Sequence, residues 1–281
     1  MAESPRAPDD RGTGDDDVAR VRHHYATHLD EDGRLASTPA FRLEQRRTRA
    51  LLAQRLPAPP SSVLDVGGGT GAYASWLQDR GHDVVLVDLV PEHVDTARSR
   101  GLDARVADAR ELDFGPGSMD AVLVMGPLYH LVAAADRAAV LARARDIARD
   151  GGLVVAAAIA RWTPLVHLAS IGTWDDGEGG WSEDVAQRLA AVVHSGTHDE
   201  GVSFTAAHLH RPDELARELS AAGLVDIEVV PVEGPLGFVV DFLPDPDAAL
   251  DRAIAVAEMT QHEPALAGAS VHLLAFGRTP A

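Results

Sequence analysis

Two carboxylates and a run of glycines define the chemistry this chain can support. Val63-Leu64-Asp65-Val66 is an apolar run carrying one acid, and it ends in Gly67-Gly68-Gly69-Thr70-Gly71. An amphipathic stretch with Ala72, Tyr73, Ala74, Trp76 and Leu77 follows at once. Strand, tight turn and helix in that order bring backbone N–H groups and a helix N-terminus against a ligand. Glycine is needed in such a turn because a Cβ blocks both φ > 0 and close approach. A second apolar run, Val84-Val85-Leu86-Val87, ends in Asp88. That acid lies about 20 residues on, where a carboxylate accepts hydrogen bonds from ribose hydroxyls.

Proton handling has two candidate clusters. Tyr129 and His130 follow a fourth apolar run, Met119–Met125. A neutral His there can take a proton from a hydroxyl or an amine; the competing reading is a locally packed residue at a helix start. In His208-Leu209-His210-Arg211-Pro212, alternation puts both histidines on one face if the stretch is extended. They either face a pocket or cap a helix starting near Pro212, and Arg211 could clamp a carboxylate. His194 and His198 are four apart beside Asp199 and Glu200, a zinc spacing on a helix. Gly196 interrupts that helix and no H-E-x-x-H occurs, so no metal is expected.

The glycine loop fits two patterns. Gly67 to Ala72 satisfies G-x-G-x-x-A, a permitted dinucleotide fingerprint. Asp65, Gly67, Gly69 and Gly71 also satisfy D-x-G-x-G-x-G, followed in order by Asp88, Asp108 and Gly126-Pro127-Leu128-Tyr129-His130. This second series resembles the class I S-adenosylmethionine-dependent methyltransferases over roughly residues 60–160. The resemblance implies that S-adenosylmethionine is bound by Asp65, Gly67, Gly68, Gly69, Gly71, Asp88, Leu89, Asp108, Ala109, Met125 and Tyr25. It implies that methyl transfer occurs beside Tyr129 and His130. Residues 17–60, the Gly126–His130 segment and the His-Arg-Pro return resemble small-molecule enzymes of that family, including those acting on bacterial natural products and modified peptides. The acceptor pocket is expected to include His208, His210, Arg211, Trp162 and Trp174. Enzymes that methylate nucleic-acid amines read Asn/Asp-Pro-Pro-Tyr at this place, and Gly126 lacks that acceptor. The alternatives are an NAD-dependent oxidoreductase and a non-catalytic S-adenosylmethionine-binding partner subunit. Asp65 opposes the first, since a small apolar residue is wanted where a pyrophosphate passes.

Composition narrows the class. The chain has 281 residues, 46% of them hydrophobic, no cysteine and a formal charge of −18. All 25 basic residues are Arg, which removes lysine Schiff-base chemistry and a P-loop lysine. The acidity disfavours nucleic-acid partners and suits a cationic sulfonium cofactor. Short, charge-broken apolar runs predict no membrane span, and a polar, acidic start predicts no signal peptide. A cytoplasmic enzyme with a small-molecule or peptide substrate is expected.

The elements that must position these residues form one domain over 18–281, after a disordered tail at 1–17. Residues 18–60 are expected to be helices broken at Asp30-Glu31-Asp32-Gly33, and 61–160 the cofactor-binding core. Within that core, the helix before the fifth strand is expected to end at Arg149-Asp150-Gly151-Gly152. Residues 161–211 are too long for a plain connection and are expected to be a helical substrate cap. Residues 212–281 return a helix, a strand, a helix and a last strand. The fold class is α/β, with the resemblance implying a Rossmann-like doubly wound seven-stranded sheet ordered 3-2-1-4-5-7-6 and the last strand antiparallel.

Overall fold

The computed structural model describes residues 31–171, 183–198 and 206–281. The expected tail, the helices assigned to 18–30 with Tyr25, and Trp174 lie outside these residues. Seven strands form the main sheet: β1 (Ser62–Val66), β2 (Asp83–Asp88), β3 (Asp103–Val106), β4 (Met119–Val124), β5 (Ala148–Ile159), β8 (Val225–Pro231) and β9 (His272–Arg278). Their order is β3-β2-β1-β4-β5-β9-β8. Strands β1 to β5 pair in parallel, and β9 runs antiparallel to both β5 and β8. A separate short pair, β6 (Thr197–His198) with β7 (Ala207–His208), interrupts the count. Without that pair, the order is the expected 3-2-1-4-5-7-6.

The period-2 alternation of the strands explains why both faces are covered. Leu64, Val66, Val122, Val124, Val154 and Ala156 point to one face, against Val140, Leu141, Ala144 and Ile147 of a helix at Ala134–Ile147. Val63, Ala121, Leu123, Val155 and Ala157 point to the other, against Leu51, Leu52, Ala74 and Leu77. Apolar runs without polar alternation belong to parallel strands buried on both sides.

Two helices close over the carboxyl edge of the sheet. We label them α1 (Glu31–Ser37) and α2 (Pro39–Arg55). Over the described part of the expected break, residues 31–33, the chain is helical: Glu31–Ser37 is one helix and the interruption falls at Thr38. Thr38 Oγ1 accepts from the Phe41 N–H at 3.4 Å and Pro39 opens the helix, a combination that starts a new helix. Arg47 pins α2 in place. Its buried guanidinium donates to the Val232 carbonyl at 3.2 Å and to Gln261 at 2.8 Å.

Two further boundaries differ from expectation. The helix before β5 ends at Ile147, and Ala148–Gly152 already belongs to the strand. A register shift between Met119 and Ala121 absorbs the extra residues, with Gly151 at φ +67°. The described part of 161–211 contains helices at Thr163–Ile171 and Glu183–Ser195 and the β6–β7 pair, so it is not wholly helical. No described helix is long and apolar enough to cross a membrane.

Candidate active site

Strand order reverses between β1 and β4, and such a switch point opens a crevice at the carboxyl ends of the strands. Here the two loops meet closely: a Cβ on Gly67 would lie 2.6 Å from Pro127 Cδ. The glycine turn is anchored from behind, with Gly67 N–H and Gly68 N–H donating to the Val87 carbonyl at 2.8 and 3.3 Å. Its front is open. A Cβ on Gly69 would touch nothing within 4 Å, and its φ is +57°. Asp88 braces the same turn: Oδ2 accepts from Gly69 N–H at 2.8 Å and Oδ1 from Val90 N–H at 2.9 Å. His93 Nδ1 lies 3.4 Å from Oδ1.

Gly67, Gly68, Gly69, Asp88, Leu89, Asp108, Ala109, Met125, Tyr129 and His130 line a single cavity. Asp65 and Gly71 are not on its wall. Gly71 starts the helix Ala72–Asp79 at φ +92°, and a Cβ there would lie 2.4 Å from Leu102 Cδ1. Its role is to pack the loop, and it does not touch the cavity.

Asp65 lies beneath the turn, fully buried, with neither carboxylate oxygen hydrogen-bonded among the described residues. Burial, and then the charge of Asp88, push its carboxyl up to about 7. An unpaired acid under a glycine turn whose front no side chain fills suits a ligand bearing positive charge. These observations fit S-adenosylmethionine: a cradle that side chains would fill, an orphaned buried acid and a ribose-type acceptor.

Asp108 is partly occupied. Its Oδ1 accepts from Arg110 N–H at 2.9 Å, and Oδ2 accepts from Arg110 Nη2 at 2.7 Å. Arg110 Nε also donates to Oδ1 at 3.0 Å, and Asp108 stands on the cavity wall. Tyr129 and His130 sit in the short helix Pro127–His130 just past β4, their ring centroids 4.6 Å apart.

The far wall was not foreseen from sequence. Arg34 and Leu35 of α1, Glu44 and Thr48 of α2, Tyr73 and His272 complete the cavity. Arg34 pairs with Glu44 at 3.1 Å. Tyr73 is hydrogen-bonded to Thr48, and burial raises its hydroxyl well above the ordinary phenol range, with Glu44 adding to the rise. His272 Nδ1 lies 2.6 Å from Glu233 Oε1. Burial alone would lower the imidazole, but the charges of Glu233 and Glu44 outweigh it and raise His272 to about 9. The signal that could have found this pair was topological. An antiparallel last strand puts its first residue, His272, at the carboxyl edge, beside the residue that follows β8.

The second expected cluster lies elsewhere. His208 and His210 do share one side, with rings T-shaped at 4.5 Å. They face the helix Pro212–Ala221, where His208 Nε2 meets Glu214 at 3.0 Å and His210 Nε2 meets Glu218 at 3.2 Å. Arg161 also pairs with Glu214, and Arg137 with Glu218 at 2.8 Å. Arg211 stacks over Trp162 at 5.4 Å, in a separate hollow with Pro212 and His262. Among the described residues, none from 161–211 lines the glycine-loop cavity. The Nε2 atoms of both histidines are held by carboxylates one and two turns along the helix, while His210 Nδ1 is buried without a partner among the described residues.

Two groups bring possible metal donors within 4.8 Å of one another: His208, His210 and Glu218, and Glu44, Glu233 and His272. In the second, the 2.6 Å contact between Glu233 and His272 is already closed. Glu233 Oε2 is filled by Ser270 Oγ at 2.8 Å and His272 N–H at 2.9 Å. Those are proton donors, which suit a carboxylate holding an imidazole more than one holding a cation.

Residues 63–152 match the methyltransferase domain family. The chain is 29% identical over 180 residues to a ubiquinone biosynthesis O-methyltransferase of Xanthomonas campestris, covering 62% of this chain and 66% of that protein. It is 40% identical over 100 residues to an uncharacterized methyltransferase of Mycobacterium tuberculosis, covering 34% of this chain and 39% of that one. The fold is similar to an S-adenosylmethionine-dependent methyltransferase of Methanosarcina mazei, with TM-score 0.55, 12% identity and 82% and 97% of the two chains covered. It is also similar to phosphoethanolamine N-methyltransferase 2 of Haemonchus contortus in complex with S-adenosyl-L-methionine, with TM-score 0.54, 16% identity and 92% and 60% covered. Motif order, strand order and the family match agree, and residues 63–152 of this chain carry a methyltransferase domain of the class I S-adenosylmethionine-dependent type.

Proposed function

We propose that this protein transfers the methyl group of S-adenosylmethionine to a small-molecule acceptor bound against the wall of Arg34, Glu44, Thr48, Tyr73 and His272. The observation that carries this reading is one continuous cavity lined by the glycine turn, Asp88 and Asp108 on one side and by that polar wall on the other. The cofactor supplies a methyl group already activated on a sulfonium. The chain's own tasks are to bind, to align and to exclude water. Gly67 to Gly69 offer the close backbone approach, Asp88 the ribose acceptor, and Asp108 with Ala109 the adenine contact. Leu89 and Met125 supply apolar walls, and Asp65 supplies negative potential below. Tyr129 and His130, where β4 ends, orient the acceptor.

Two observations support a small acceptor. Helices α1 and α2 supply Arg34, Leu35, Glu44 and Thr48 to the cavity wall over the sheet edge, which suits a small acceptor. A formal charge of −18 disfavours a polyanion. Among acceptor atoms, oxygen is favoured by the polar far wall and by the O-methyltransferase name of the Xanthomonas relative. A bacterial natural product or a modified peptide carrying a hydroxyl fits this class. The test is transfer of labelled methyl from S-adenosylmethionine to a panel of phenols, aliphatic alcohols, amines and carboxylic acids. We expect turnover with hydroxyl acceptors. Cofactor binding with no turnover on any class would favour a non-catalytic binding subunit.

A further inference from the structure

We propose that His272, held by Glu233, is the group that takes the proton from the acceptor hydroxyl. This rests on the methyl-transfer reading above. It assigns the base to a residue on the opposite wall from His130.

The topology brings the pair to the right edge. Strand β8 runs parallel with β5, so Glu233, two residues past its end at Pro231, emerges at the carboxyl edge. Strand β9 runs antiparallel, so its first residue, His272, starts at the same edge, opposite Ile159 at the end of β5. The geometry then fixes the imidazole. Glu233 is clamped by Ser270 Oγ and by the His272 N–H through Oε2, leaving Oε1 for His272 Nδ1. The side chain of Glu233 keeps 3% of its surface exposed and that of His272 keeps 23%. The carboxylate is therefore the buried member, and the imidazole is the member that lines the cavity. With Nδ1 committed to Glu233, Nε2 is the ring nitrogen left to meet a ligand. A carboxylate on one ring nitrogen fixes the tautomer and strengthens the other as a base.

The surrounding charges set its strength. Glu233 follows β8, Glu44 comes from α2 and Arg34 from α1. Arg47 of α2 lies near Glu233, and Tyr73 lies near Glu44. The two acids prevail at the imidazole, which is raised to about 9. At about 9 the imidazole is mostly protonated at neutral pH, so the neutral form that accepts a proton is gained as pH rises toward that value.

The step balances. The acceptor O–H proton passes to neutral His272 Nε2, and an oxygen lone pair forms the new C–O bond to the methyl carbon. The C–S bond breaks with its electron pair going to sulfur, leaving neutral S-adenosylhomocysteine. The imidazolium, stabilised by Glu233, later releases its proton to water.

The test reads the protonation directly. NMR titration of the wild-type protein saturated with S-adenosylhomocysteine follows the His272 ring signal, assigned with H272Q. We expect a midpoint near 9, and in E233Q a return toward the ordinary imidazole value of 6.5, roughly a 300-fold loss of proton affinity. The second readout uses 4-nitrophenol, whose ionised form has its own absorbance. Bound to wild type it should ionise at least tenfold more readily than when bound to H272Q. Equal ionisation of the probe in both proteins overturns this role while leaving methyl transfer intact. Absence of S-adenosylhomocysteine binding by the wild type in calorimetry overturns methyl transfer and this role together.

Discussion

Replacing Asp65 with Asn should remove a specific pH dependence from the stability of this protein. Asp65 is fully buried, has no hydrogen-bond partner among the described residues, and lies near Asp88. Its carboxyl rises from 3.8 to about 7 on folding. A raised acid binds its proton more tightly in the folded state, so the associated stability is complete below 3.8. It is lost as pH climbs through about 7. At about 1.4 kcal/mol per pH unit, the full interval amounts to roughly 4 kcal/mol. An Asn at this place buries an unsatisfied amide costing about 1–3 kcal/mol, but that cost is the same at every pH. The quantity to measure is therefore the stability difference between D65N and wild type at pH 4 and again at pH 8, by urea unfolding without ligand. We expect D65N to gain about 2–4 kcal/mol on wild type between the two conditions. An equal difference at both pH values would mean that Asp65 is solvated or paired, and the reasoning about an electronegative cradle would fall with it.

The glycines separate fold from binding. Gly69→Ala has space in the empty turn but strains φ +57° and fills the open face. It should cost about 1–2 kcal/mol in stability and abolish cofactor binding in calorimetry. Gly71→Ala meets Leu102 and should lower urea stability by about 1–3 kcal/mol beyond that strain. Asp88→Asn removes a charged acceptor and should weaken S-adenosylhomocysteine binding by about 10- to 150-fold, equivalent to 1.5–3 kcal/mol; unchanged affinity would remove the ribose assignment. Arg137, 3% exposed, donates to the Leu131 and Val132 carbonyls and to Glu218. Arg137→Met should cost about 3–5 kcal/mol, and a loss under 1 kcal/mol would show the network to be incidental. In Glu214 and Glu218, burial raises the carboxyls, but pairing with His208 and Arg161, and with His210 and Arg137, lowers both to about 2. Their stabilisation is present above 4.5 and lost as pH falls toward 2. E218Q should therefore flatten the acid limb of unfolding, and an unchanged limb would count against the pairing.

The sheet and the cofactor half of the cavity were legible because their signals are local. Val63 to Gly71 carries strand, turn and helix within nine residues, and Asp88 and Asp108 each close a short apolar run. Boundaries were less legible where tertiary contacts decide them. Glu31–Ser37 stays helical through Gly33, and β5 begins at Ala148 because a bulge accommodates Gly151. The far wall was missed because its members come from places far apart in sequence. Arg34, Glu44, Tyr73, Glu233 and His272 have no shared motif, and only the return of β9 beside β5 brings the last two together. For the His208 and His210 pair the sequence left a pocket and the helix near Pro212 as alternatives. Alternation placed them on one face correctly, but it says nothing about which neighbour that face meets, and Glu214 and Glu218 take it up.

The central claim is that the turn at Gly67–Gly69, with Asp88 and Asp108, holds S-adenosylmethionine. Isothermal calorimetry with S-adenosylmethionine, S-adenosylhomocysteine and NAD on the same wild-type protein tests it most directly. The account predicts one site for the first two ligands, weakened in D88N, and no binding of NAD. Binding of NAD with no heat from either S-adenosyl ligand would contradict it.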